Sequence, residues 1–136
     1  MKYLLDTNIC ITLIRQKPQA LIQRIISHRP GEVGVSSITL AELAHGVEKS
    51  AQPEQNMSAL QQFLLPFEVS DFEQKAALAY GKICAQLERN GRTIGSMDML
   101  IAAHAISLEA ILVTNNVREF QRVKGLNVED WISESE

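Results

Sequence analysis

Short apolar runs alternate along the chain with longer segments of helical periodicity. The clearest runs of strand length cover residues 3–5, 33–36, 66–69 and 111–114, and residues 126–128 form a weaker fifth run. Runs of this length that are apolar on both faces are typical of strands buried in a parallel sheet. The chain is therefore predicted to contain five short strands.

Between these runs, apolar residues recur at intervals of three and four, which predicts helices. The predicted helices cover residues 9–27 with a break at Pro18, then 39–50, 52–64, 76–88 and 97–108. Thr39 and Glu42 have the spacing of a capping box, so one helix is expected to begin at Thr39. Asp71 is expected to cap the helix over residues 76–88.

Strands that alternate with helices of ten or more residues pair in parallel through right-handed crossovers. The predicted fold class is therefore α/β, a three-layer α/β/α sandwich around a small, mostly parallel sheet. No repeat, low-complexity stretch or linker interrupts the sequence, and the chain is too short for two independent cores. We expect residues 1–136 to form a single domain that ends in an acidic tail.

Composition and charge narrow the class of protein. Of the 136 residues, 46% are hydrophobic and 21% charged, which excludes a disordered chain. The net charge of -3 argues against a protein that coats nucleic acid by bulk electrostatics, but it allows an enzyme with a locally basic rim. No apolar run is long enough to span a membrane and no signal-peptide core precedes Asp6, so a cytoplasmic protein with reduced Cys10 and Cys84 is expected.

Three acidic residues lie where parallel sheets bind their ligands, beyond the carboxyl ends of the strands. Asp6 follows the first run, Glu42 lies in the first turn of the helix after the second, and Asp98 opens the helix before residues 111–114. Each also has an ordinary structural explanation: Asp6 as a helix cap, Glu42 as the capping-box partner of Thr39, and Asp98 as a favourable charge at a helix N-terminus.

Taken together, these acids indicate a metal site. Carboxylates gathered in a cleft of low dielectric repel one another, and a bound cation relieves several at once. Oxygen ligands without His or Cys suit Mg²⁺, or alternatively Mn²⁺. Such a site serves phosphodiester hydrolysis or phosphoryl acceptance by an aspartate. The second chemistry expects an adjacent acidic pair after the first strand, whereas Asp6 is followed by Thr7 and Asn8, so it fits poorly.

Four segments in order along the chain resemble a known family. They are LLDTN at residues 4–8, SITLAEL at 37–43, the segment from Ile94 to His104 that contains Asp98, and LVTNNVREF at 112–120. These segments are similar to those of PIN-domain ribonucleases, and within them to the VapC toxins of type II toxin–antitoxin pairs. The resemblance covers nearly the whole chain and implies a Mg²⁺-dependent endoribonuclease that cuts RNA, commonly tRNA, to inhibit translation and growth.

The resemblance also implies roles for individual residues. The catalytic, metal-binding acids carry over to Asp6, Glu42 and Asp98, and the polar residues that support them to Thr7, Asn8, Thr114 and Asn116. Many PIN domains have Asp at the position of Asn116, so we expect a second metal ion to bind weakly or only with the substrate phosphate.

Several further expectations concern the surroundings of the acids. Ser96 stands where related toxins often have Pro, and it is expected to cap the acidic helix. Glu119 is either a further carboxylate of the site or a surface residue. Arg92 and Arg118 either contact RNA phosphates at the rim of the site or belong to a solvated face.

The resemblance implies two protein partners, a second copy of the chain and a cognate VapB-type antitoxin whose C-terminal segment covers the acidic pocket. RNA cleavage is expected to leave a 3′-hydroxyl and a 5′-phosphate. A degenerate PIN fold that binds RNA or assembles without catalysis is the alternative, against which the three retained acids argue.

Overall fold

A five-stranded parallel sheet runs through the centre of the computed structural model, which describes residues 1–132. The strands are β1 (Tyr3–Leu5), β2 (Val33–Ser36), β3 (Glu68–Ser70), β4 (Ile111–Val113) and β5 (Val128–Glu129). Their order across the sheet is β3-β2-β1-β4-β5, and every neighbouring pair is parallel. The first strand of the chain is thus the central one, and all three of its residues are buried.

Helices cover both faces of this sheet, which confirms the predicted three-layer α/β/α sandwich. They are α1 (Thr7–Arg15), α2 (Gln19–Ile26), α3 (Ser37–Lys49), α4 (Pro53–Leu64), α5 (Gln74–Arg89), α6 (Ser96–Ser107) and α7 (Val117–Phe120). Leu5 packs with α1 to α4 in one core, whereas Leu4 packs with α5 and α6 in the other. Successive strand residues point to opposite faces, so one short apolar strand supports both cores.

The start of α3 differs from the prediction, and the difference moves a candidate acid. The Ser36 hydroxyl accepts a hydrogen bond from the Ile38 N–H at 3.0 Å and caps α3, so the expected capping box of Thr39 and Glu42 is wrong. Ser36 is also the last residue of β2, and the chain passes from strand to helix without a loop. Glu42 therefore lies in the second turn of α3, and its carboxylate makes no capping hydrogen bond.

Two other predicted caps are wrong as well. Glu73, not Asp71, precedes α5, and it makes no side-chain capping bond; instead, the Ser37 hydroxyl accepts from the Phe72 N–H at 3.0 Å and holds the approach to α5. Gly95 precedes α6, so Ser96 is its first helical residue and not its cap. The four-residue helix α7 was not predicted, because it is too short to show a periodic pattern. The expected acidic tail lies outside the described residues.

A buried histidine joins the layers beneath the carboxyl edge of the sheet. The Nδ1 atom of His104, on α6, lies 2.7 Å from the Ser36 hydroxyl, and its Nε2 atom lies 3.4 Å from the Ser70 hydroxyl. The ring also hydrogen-bonds the backbone of Asp71, and burial lowers its pKa. We call this set of contacts between His104, Ser36, Ser70 and Asp71 the His104 junction. It connects the helix that carries Asp98 to the cap of the helix that carries Glu42.

The two cysteines are free thiols, as expected from the sequence, with Cys10 buried and Cys84 half-buried. Within residues 1–132, no helix is both long enough and apolar enough to cross a membrane.

Candidate active site

The sheet topology brings the candidate acids to one edge. Leu5 of β1 lies beside Val113 of β4, so Asp6 and Thr114, the residues that follow, are neighbours at the carboxyl ends of the two central strands. Val35 of β2 lies on the other side of Leu5, and α3, which carries Glu42, leaves β2 at this same edge. The predicted gathering of side chains at the carboxyl ends of the strands follows from the parallel pairing.

Asp6 is the most deeply buried acid of the site, with 3% of its surface exposed. Its Oδ1 atom accepts from the Ile9 N–H at 2.8 Å and caps α1, and its carboxylate also accepts from the Thr114 hydroxyl. Burial, with smaller contributions from the charges of Asp98 and Glu42, raises the pKa of Asp6 to about 6 against the opposing effect of these hydrogen bonds. Asp6 is therefore both a helix cap and an acid whose charged form is disfavoured, chiefly by its burial.

A chain of hydroxyl groups holds Glu42. The Thr7 Oγ1 atom donates to Glu42 Oε1 at 2.6 Å, and Thr39 Oγ1 lies 3.0 Å from the same Thr7 oxygen. A hydroxyl has one proton to donate, and that of Thr7 is used on Glu42, so Thr39 must donate to Thr7. Thr7 thus hydrogen-bonds one of the candidate acids, and Thr39 contributes through this chain and not as a helix cap.

Asp98 is half-buried in the first turn of α6, and its electrostatics identify a fourth acid. Partial burial raises the pKa of Asp98, and the nearby charges of Glu119 and Glu42 raise it further. The Asn116 side-chain amide donates to Glu119 Oε2 at 3.0 Å, and the Asn116 backbone N–H donates to Thr114 Oγ1 at 2.9 Å. Asn116 thus orients a carboxylate instead of replacing one.

Glu119 is the residue for which sequence reasoning was least decisive. Glu119 lies in α7, three residues after Asn116, and it is near enough to Asp98 for its charge to raise the pKa of that acid. The only sequence signal was the acid in the segment from Leu112 to Phe120, which is equally compatible with a surface position. We call Asp6, Glu42, Asp98 and Glu119 the acidic edge.

The acidic edge is poorly neutralised by the protein. Within residues 1–132, none of its carboxylates lies within 4.0 Å of a basic side chain in an ion pair. In the same residues, no group of three or more His, Cys, Asp or Glu side chains has the spacing of a formed metal site. The donor set nevertheless consists of carboxylate and amide oxygens, the chemistry that Mg²⁺ and Mn²⁺ prefer, and it includes one buried acid with a raised pKa. The residues present therefore fit a divalent cation.

The remaining candidates, Asn8, Arg92 and Arg118, are all exposed. Asn8 is exposed in the first turn of α1, Arg118 is exposed on α7 next to Glu119, and Arg92 is exposed in the segment between α5 and α6. The guanidinium group of Arg122 donates to the Thr93 carbonyl at 3.1 Å and ties this segment to the end of α7. The positions of Arg92 and Arg118 are compatible with the rim predicted for them, and their contact with RNA stays a prediction.

A large apolar groove lies apart from the acidic edge. Its volume is about 650 Å³, and it is formed by side chains of α1, α2 and α4, among them Leu13, Ile22 and Phe63. None of the four acids lines it. Ile26, also in its lining, is 66% exposed.

Comparison with known proteins gives one consistent result. Residues 3–126 match the model of the PIN domain family. The chain is 46% identical over 131 residues to the tRNA(fMet)-specific endonuclease VapC of Shigella flexneri, covering 96% of this chain and 98% of that one. It is 45% identical over 132 residues to ribonuclease VapC2 of Haemophilus influenzae, covering 97% and 99%. The crystal structure of DNA-bound VapBC from Salmonella typhimurium matches it with a TM-score of 0.91 at 43% identity, over 96% of this chain and 98% of that one.

Proposed function

This chain belongs to the PIN-domain family, and from that premise we propose that it is a metal-dependent endoribonuclease, the VapC-type toxin of a toxin–antitoxin pair. The observation that carries this proposal is the acidic edge, where Asp6 after β1 and acids on α3, α6 and α7 lie near enough for their charges to interact, without an ion-pair partner in residues 1–132. Repulsion between these carboxylates disfavours the folded state, so a bound cation explains why the fold gathers them.

In this proposal, Asp6 and Asp98 hold the cation, which is Mg²⁺ or Mn²⁺, and Glu119 contributes a further carboxylate. When bound, the cation supplies an activated water and stabilises the charge that develops on the phosphate. The deep burial of Asp6 keeps bulk water away from one side of the site and strengthens its electrostatic interactions.

Glu42 orients the attacking water, either directly or as a ligand through water. The Thr7 hydroxyl fixes the Oε1 atom of Glu42, and Asn116 fixes Oε2 of Glu119, so neither carboxylate must be ordered at the moment of reaction. Water, and not the ribose 2′-hydroxyl, attacks the phosphorus in this scheme. The products are therefore a 3′-hydroxyl and a 5′-phosphate.

The substrate we propose is tRNA, because a relative 46% identical to this chain is named a tRNA(fMet)-specific endonuclease. Arg92 and Arg118 contact phosphates on either side of the acidic edge and position the RNA. Aromatic residues make up 5% of the chain, so long stacking platforms for single strands are limited, and a folded RNA loop is the better fit.

The partner we propose is a VapB-type antitoxin, since similar chains form VapBC complexes in solved structures. The antitoxin covers the acidic edge and anchors itself in the 650 Å³ groove, whose exposed Ile26 needs an apolar cover. The chain acts in the cytoplasm as a homodimer, an oligomeric state that light scattering on the purified chain checks.

Cleavage of a tRNA by the purified chain tests the proposal. We expect cleavage with Mg²⁺ or Mn²⁺, none with chelator, and a loss of about 100-fold or more in Asp98→Asn, since weaker changes at metal sites already cost 10- to 100-fold. Glu48→Gln, which changes an exposed acid on α3, serves as the matched control and is expected to cleave normally. Full cleavage by Asp98→Asn contradicts the proposal, and RNA binding without cleavage by the wild type favours the non-catalytic module.

A further inference from the structure

A second, smaller groove begins at the acidic edge and is not used by the mechanism above. It runs between α1, α3 and α4, has a volume of about 340 Å³, and has Glu42 in its lining. We call it the α3 groove; the lining residues that matter here are Ile11, Arg15, Glu42, Gly46, Ser50 and Asn56. Because Glu42 belongs to both the groove and the acidic edge, a molecule bound in the groove lies next to the reacting phosphate.

The size of the α3 groove limits what it can take. Glu42 and Ser50 are eight positions apart along α3, or about 12 Å at the rise of an α-helix. The volume lies at the small end of the range of about 300–1,000 Å³ that is usual for small-molecule sites. The groove is therefore large enough for a unit such as one nucleoside.

The side chains of the groove suit a nucleobase. Ile11, Leu43 and Val47 supply apolar walls of the kind that hold the faces of an unstacked base. At the far end, the Asn56 amide N–H donates to the Ser50 hydroxyl at 2.9 Å, and that hydroxyl donates to the Val47 carbonyl.

The Asn56 amide still has capacity for a ligand. Within residues 1–132, the bond to Ser50 is its only side-chain hydrogen bond, so its carbonyl oxygen and second N–H are available as an acceptor and a donor. An adjacent acceptor and donor are what the edge of a base pairs with. Arg15, exposed in the last turn of α1, adds a cation at the rim for a neighbouring phosphate.

We propose that the α3 groove binds one unstacked nucleobase next to the scissile phosphate and so determines which position of an RNA loop is cut. The apolar walls hold the faces of the base, Asn56 hydrogen-bonds its edge, and Glu42 lies at the phosphate end. The proposal rests on the ribonuclease function proposed above, and it assigns the recognition of the substrate to residues that the acidic edge does not contain.

Two glycines allow a matched test of this groove. Gly46 on α3 and Gly81 on α5 are both exposed helical positions at which an added Cβ meets no atom within 4 Å. Gly46→Leu fills the groove, whereas Gly81→Leu changes a helix face remote from it. We expect Gly46→Leu to raise KM for the RNA and lower kcat/KM about 10-fold or more, the order of magnitude of losing the burial of one apolar group. Gly81→Leu is expected to cleave RNA like the wild type.

A minimal substrate and altered RNAs separate base binding from damage to the acids. Both leucine variants are expected to hydrolyse bis(4-nitrophenyl) phosphate, which has no nucleobase, at the wild-type rate. An abasic nucleotide at one position beside the cut is expected to slow the wild type about 10-fold but not to slow Gly46→Leu further, because the two changes remove the same contact. Asn56→Ala is expected to reduce discrimination between bases at that position without lowering hydrolysis of the minimal substrate.

The outcomes are distinguishable. Equal kcat/KM of Gly46→Leu and the wild type on RNA overturns the proposal, as does a variant that cleaves RNA normally but escapes inhibition by the antitoxin, since the groove then binds protein. Absence of RNA cleavage by the wild type contradicts the proposed ribonuclease function. In that case, the affinities of the wild type for the same intact and abasic RNAs are measured in chelator. Equal affinities for both RNAs overturn the proposal that the groove binds a base.

Discussion

Two polar regions lie near each other in this fold and are built on opposite principles. Asp98 and His104 are six residues apart on α6, and one belongs to the acidic edge and the other to the His104 junction. At the acidic edge, like charges meet and the pKa of Asp6 is raised to about 6. At the junction, a histidine ring meets hydroxyl and backbone groups, and burial lowers its pKa against the opposing charges of Asp71 and Glu73. Within residues 1–132, the polar groups of the junction are paired with one another, whereas the carboxylates of the acidic edge have no ion-pair partner.

This difference separates stability from activity. A buried polar network whose members are all paired helps to specify the fold, and a buried charge without a partner disfavours it. We therefore expect changes at the acidic edge to cost activity and spare the fold, and changes at the junction to do the reverse.

The largest expected effect comes from Asp6→Asn. Asparagine also caps helices, so α1 keeps its cap, while the buried negative charge is removed. RNA cleavage is expected to fall about 100-fold or more. The free energy of unfolding of the metal-free protein at pH 8, measured by urea denaturation, is expected to rise by up to about 3 kcal/mol. A variant that is less stable than the wild type at pH 8 shows that the charge is not strained.

The pH dependence of stability gives the next effect. The folded-state pKa of Asp6 is about 6, whereas its ordinary value is 3.8. The contribution of Asp6 to the free energy of unfolding is therefore fully present below pH 3.8, and it is lost as the pH rises through 6. Between pH 3.8 and 6, the free energy of unfolding of the metal-free wild type is expected to fall by up to about 3 kcal/mol, whereas that of Asp6→Asn is expected to show no such fall. His104 has the opposite effect on the pH dependence. Because its folded-state pKa is lowered, the neutral ring contributes stability above pH 6.5, and this stability is lost as the pH falls through the folded-state pKa. Urea denaturation from pH 4 to 8 in chelator measures both slopes, and parallel curves for the wild type and Asp6→Asn contradict the assignment.

A smaller effect is expected at the junction from Ser36→Ala. The substitution removes the cap of α3 and leaves a buried ring nitrogen of His104 without its closest partner, at a cost of about 1–3 kcal/mol. Ser70→Ala removes a longer contact, of 3.4 Å, and serves as the control with a cost below about 1 kcal/mol. Both folded variants are expected to keep RNA cleavage within about 10-fold of the wild type. A 100-fold loss of cleavage at unchanged stability assigns the junction to the reaction instead.

Much of the acidic edge was predictable because parallel strands bring their carboxyl ends together. Asp6, Glu42 and Asp98 each follow or precede a strong apolar run, and their order along the chain was enough to place them at one edge. Glu119 depends on α7, whose four residues are too few to produce a periodic pattern, so sequence reasoning left its place open.

Helix starts and the junction were harder to predict, for a different reason. The segment contains three competent caps, Ser36, Ser37 and Thr39. Ser36 is the cap because it is the last residue of β2, where it pairs with Ser70, and the helix begins directly after the strand. His104 lies in a helix that is apolar nearly all round, and its partner Ser36 is 68 positions away along the chain. Local periodicity has no means of indicating such a pair.

Calorimetric titration of Mg²⁺ or Mn²⁺ into the wild type and Asp6→Asn tests most directly whether the acidic edge is a cation site. The account predicts one site in the wild type, with proton release that grows as the pH falls toward 6 because the cation displaces the proton of Asp6, and a second site only with an RNA analogue. Asp6→Asn is expected to bind the cation much more weakly and to release no such proton. Equal affinity of the two proteins contradicts the account, and two tight sites in the free wild type contradict the expectation that the second metal ion binds weakly.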